Sequence, residues 1–61
     1  MKKKTAYKKL FRAKDELTET IEILNEEARN GKETAELAKL IEYVETAADQ
    51  TMAALIMLEE A

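Results

Sequence analysis

Cysteine, histidine, proline and serine are all missing from this 61-residue chain, and Gly31 is its one glycine. Without cysteine or histidine there is no disulfide staple and no ordinary zinc site, and the redox compartment is left open. Without histidine, cysteine or serine there is no common nucleophile–base pair, and the Glu-x-x-His element of carboxylate di-metal bundles cannot be assembled. Catalysis is therefore not expected, and neither is a cofactor or a metal. Proline-free, glycine-poor chains with 38% charged residues are composed like long helices. Aromatic residues are scarce as well: Tyr7, Phe11 and Tyr43.

Long apolar runs are also lacking, and none approaches the roughly 20 residues of a membrane span. Met1-Lys2-Lys3-Lys4 is basic like the start of a signal peptide, but Tyr7-Lys8-Lys9-Leu10-Phe11-Arg12 makes no apolar segment after it. The expectation is a cytoplasmic protein that does not partner a membrane. A chain this short buries too little surface for comfortable stability alone. With disulfides and zinc removed as supports, association remains.

What is present is periodic. Read in sevens, Tyr7, Leu10, Lys14, Leu17, Ile21, Leu24 and Ala28 form one seam at alternating spacings of three and four. Ala6, Ala13 and Thr20 flank it on one side, Phe11 widens it on the other, and Arg12, Glu19 and Glu26 cover the wet face. After a break at Asn30-Gly31 the seam resumes as Leu37, Ile41, Val44, Ala48, Thr51, Leu55 and Leu58, flanked by Leu40, Ala47 and Ala54.

These patterns predict an all-α protein: a basic tail over residues 1–4, then one domain over 5–61 with a helix at 5–29, a turn at 30–32 and a helix at 33–60. Thr5 is the expected cap of the first helix. Gly31 is expected to end that helix in the left-handed conformation with Arg29 in its last turn. Asn30 with Glu33 makes a candidate capping box for the second. A short connection implies an antiparallel two-helix hairpin. Ile23, Tyr43, Met52, Ile56 and Met57 lie off the seam, and the end of the second helix is apolar all round. An apolar surface on every side calls for other chains. The hairpin is thus expected to assemble as a homo-oligomer, a four-helix bundle or larger, through those five residues.

Charge is polarised. Residues 1–14 hold seven of the ten Lys and Arg and no acid; residues 15–61 hold three bases against thirteen acids. Cations at a helix start oppose the macrodipole, at roughly 0.3–1 kcal/mol each, whereas free N–H groups and lysines there favour an anion. An aromatic beside such cations suits base stacking. Tyr7, Lys8, Phe11, Arg12 and Lys14 are accordingly the candidate ligand residues, for a cyclic nucleotide or another phosphate-containing ligand. The blander reading pairs the lysines with Glu59 and Glu60 and puts Tyr7 and Phe11 in the core. Lys14, being on the seam, either sets register with Asp49 and Thr51 as partners, snorkels to water, or binds phosphate. The acidic body offers a further alternative, an inhibitor whose surface mimics nucleic acid and blocks a host protein's basic groove.

Tyr7 opening the first helix, the Asn30-Gly31 turn and Met52-Ala53-Ala54-Leu55-Ile56 near the end of the second resemble phage counter-defence hairpins, over about residues 7–58. The resemblance implies a small oligomeric hairpin that sequesters cyclic nucleotide signals, gripping phosphates with basic residues and stacking bases on an aromatic near a helix start. Length and layout are also similar to small plasmid-encoded hairpin dimers that promote RNA–RNA pairing, which leaves RNA binding or a purely structural oligomerisation module as further alternatives.

Overall fold

A computed structural model describes residues 2–32 and 34–60, with the side chain of Lys32 left aside. The described residues are helical, without strands: α1 spans Lys3–Glu27, a connection spans Ala28–Lys32, and α2 spans Ala35–Glu60. The two helices form a hairpin measuring 45 × 14 × 13 Å. About 25 residues at 1.5 Å each account for most of that length. At the open end the Tyr7 hydroxyl donates to Glu59 Oε1 at 2.9 Å, tying the start of α1 to the end of α2.

Helix boundaries differ from expectation at both starts. α1 begins at Lys3, so Thr5 lies inside its first turn and does not cap it; Lys2 occupies the cap position with no side-chain hydrogen bond. Lys3 and Lys4 therefore belong to the helix rather than to a tail, because lysine is a good helix former and nothing before Thr5 breaks the winding. Met1 lies outside the described residues. The cap of α2 is Thr34, whose Oγ1 accepts from the Leu37 N–H at 3.1 Å, while the Thr34 carbonyl accepts from Ala38 at 3.0 Å. A hydroxyl oxygen three residues before an unpaired N–H of the opening turn meets the geometric need directly. The expected Asn30–Glu33 box and the helix start at 33 fall partly on Glu33, outside the described residues. Arg29 sits in the connection, beyond the last turn of α1.

Between the helices the chain kinks at Gly31, whose backbone is non-helical with φ 82° and ψ 12°. This is the left-handed conformation that glycine adopts without steric cost, and it reverses the chain there.

All fourteen seam residues are largely covered, and one of them, Leu55, is buried at 3% exposure. A single partner helix shields only a narrow stripe, so side chains at right angles to the seam stay open. Phe11, Leu40 and Thr20 are exposed for this reason, although their flanking positions suggested cover. Threonine hydroxyls are satisfied within their own helices: Thr18, Thr20, Thr46 and Thr51 donate to the carbonyls of Lys14, Glu16, Glu42 and Ala47 at 2.8–3.0 Å. Neither helix is long and apolar enough to cross a membrane, among the described residues.

Candidate anion-binding end

The basic residues sit on the first four turns of α1, whose opening turn holds no acid. Four residues apart on one helix face, Tyr7 and Phe11 stack with centroids 6.2 Å apart and planes inclined by 27°. Beside them runs an open groove of about 490 Å³ lined by Tyr7, Lys8, Phe11, Arg12 and Asp15. A second hollow, of about 570 Å³, lies around the open end between Lys3, Lys4, Tyr7, Lys8, Leu58 and Glu59. Tyr7 and Lys8 line both.

Four of the five candidate ligand residues thus share one groove. Lys14 is apart from it. Its ammonium lies 4.9 Å from the centroid of the Phe11 ring and 3.7 Å from Asp15 Oδ1, with its side chain about three-quarters covered. A cation over an aromatic face is attracted by the ring quadrupole, and a long side chain on the seam can lay its stem along apolar surface while its ammonium stays at the water. Asp49 and Thr51, its expected partners, are not used: Asp49 is exposed and Thr51 bonds its own helix. Lys14–Asp15 is the one ion pair within 4 Å among the described residues.

Two acids in these grooves were not named from the sequence as groove residues. Asp15 is the first acid after the basic run, and lies four residues beyond Phe11, a spacing that would have shown it. Its charge opposes an anion, and the neighbouring Lys14 offsets it. Glu59 does come beside Lys4 and Lys8 as its position near the chain end suggested, but its hydrogen bond goes to Tyr7. That bond to the carboxylate, then partial desolvation and the negative charge of Glu59, raise the Tyr7 phenol above its ordinary value.

The apolar residues assigned to an interface are all exposed, Met57 most of all at 72% and Met52 least at 42%. Leu40 and Phe11 join them at 47% and 44%. Exposed single hydrophobics are common on proteins, but so many on so small a chain are not. No protein-family model matches the chain, and no curated protein or solved structure matches it either.

Proposed function

We propose that this is a non-catalytic binding protein: an antiparallel hairpin that pairs with a second copy in a four-helix bundle and holds a phosphate-containing ligand in the Tyr7–Lys8–Phe11–Arg12 groove. The observation that carries the reading is the coincidence of two stacked aromatics with two cations, Lys8 and Arg12, that no carboxylate among the described residues holds within 4 Å. Rings of this kind accept a nucleobase, a guanidinium forks onto phosphate oxygens, and lysine adds a point charge. The lysines at the opening turn of α1 are misplaced for helix stability, which supports a role in attracting an anion. A cyclic nucleotide combines the two chemistries, and its sequestration would suit a counter-defence protein of a phage or other mobile element. Pairing of hairpins is supported by the contrast, among the described residues, between one buried side chain and seven large exposed hydrophobics.

Thermal-shift titration with a panel of cyclic mono- and dinucleotides tests the reading. Stabilisation by at least one of them, lost in the Tyr7→Ala, Lys8→Ala double variant and retained in Lys39→Ala, supports it. No shift with any nucleotide or short RNA overturns it. A second reading, an inhibitor of a basic host protein, draws on Ile23 and Tyr43, which stand exposed among the acids of the hairpin body. It expects a basic protein to co-purify and to be released by salt.

A further inference from the structure

The hydrophobics left exposed by the hairpin fall on two sides, and the sides differ. A helix turns about 100° per residue, so positions just before and just after a seam residue point to opposite sides of it. With the helices running in opposite directions, Ala6, Ala13 and Thr20 of α1 come to the same side as Leu40, Ala47 and Ala54 of α2. Ile23, Tyr43 and Met57 border that side. The opposite side presents Phe11, Met52 and Ile56, with Asp15, Glu22, Glu45 and Asp49 around them. The five expected interface residues therefore split three to two.

We infer that the second copy docks on the Ala13–Leu40–Ala47–Ala54 side, and that it docks reversed, with its open end over the first copy's turn. This rests on the proposal above that hairpins pair. Charge decides the direction. The open half, residues 2–15 and 48–60, carries seven bases and four acids, a net +3; the turn half, residues 16–47, carries three bases and nine acids, a net −6. Reversed docking places each positive half on the partner's negative half. Docking in the same direction sets −6 against −6, which costs free energy at contact distances where salt screens least.

Size agrees with charge. The Tyr7–Glu59 bond sets the ladder of levels between the helices. On that ladder a twofold axis near Ala47 brings Leu40 over the partner's Ala54, a large side chain onto a small one. Alanines at these positions let helix axes approach closely, which leucines at every flank would prevent. A side of 45 × 14 Å offers roughly 600 Å² in projection, and more once its corrugation is counted, near the roughly 800 Å² per partner of a standard interface. The Phe11 side, with the candidate groove, then stays open on both outer surfaces of the dimer.

Because the chain has no cysteine, one introduced thiol reports unambiguously. In the full chain, Ala47→Cys lies on the axis and should give a disulfide-linked dimer on mild oxidation of the folded protein, and much less of it when the oxidation is run in urea. A mixture of Leu40→Cys and Ala54→Cys chains, one of them mass-tagged, should link mostly across the two types. Linkage of Ala47→Cys to Thr20→Cys, with no Ala47→Cys homodimer, overturns the reversed direction. Efficient linkage through Met52→Cys in place of Ala47→Cys overturns the choice of side. Sedimentation of the unmodified protein as a monomer removes the pairing itself, an outcome distinct from the other two.

Discussion

Leu55 is the most informative residue to truncate. Leu55→Ala removes three carbon groups from the one buried side chain among the described residues, at 3% exposure. At about 0.8 kcal/mol per buried carbon group, the lost transfer free energy is about 2.4 kcal/mol. A cavity term normally adds to this, but the seam residues around Leu55 are only partly covered and can close in or admit water, so the term stays small. The expected loss is about 2–3 kcal/mol. Domains of this size hold roughly 3–9 kcal/mol in all, so about a quarter of the stability or more goes. Ile56→Ala, one residue on, is the comparison. Its side chain is about half exposed, so about half the transfer term is at stake, and alanine returns a few tenths through helix propensity. Its net loss should be near 1 kcal/mol. Urea unfolding followed by circular dichroism, at one fixed chain concentration because pairing couples to stability, measures both. Equal losses for the two variants would refute the placement of the core, since covering would then not distinguish neighbours on α2.

Three further outcomes follow from single features. Gly31→Ala should cost about 1–2 kcal/mol in thermal or urea unfolding through the left-handed backbone alone, because a methyl there meets nothing within 4 Å; a more stable variant contradicts this. Thr34→Ala should cost about 1 kcal/mol by removing the cap of α2, while Thr5→Ala stays within about 0.5 kcal/mol; the reverse order would return the cap of α1 to Thr5. In a Tyr43→Phe background, alkaline ultraviolet titration should find the Tyr7 phenol ionising above its usual value of about 10, and Glu59→Gln should lower it. The raised value means the fold favours the neutral phenol, so this contribution to stability is present at neutral pH and fades as pH rises through the phenol's ionisation; an unchanged titration in Glu59→Gln counts against the bond.

Period is legible in one dimension, and so the two seams, the break at Gly31 and the helical class all followed from spacing alone. Every seam residue, down to Lys14 and Thr51, is covered by the facing helix. Ends were less legible. Thr5 and Thr34 carry the same hydroxyl, and what separates them is that lysines continue the helix before Thr5 while Gly31 has already broken it before Thr34. The candidate groove was legible where its residues share a helix, as Tyr7, Lys8, Phe11 and Arg12 do.

Composition and spacing by themselves determined that this chain makes two amphipathic helices joined at a glycine, with its cations gathered at one end, because those properties belong to single residues and their intervals. Three-dimensional packing alone decided that Tyr7 bonds Glu59, that Lys14 turns onto Phe11 and Asp15 rather than toward Asp49, and that Leu55 is the one buried side chain among the described residues. The physical reason is reach: partners fifty residues apart, and the choice among several neighbours for one long side chain, depend on how the helices are aligned.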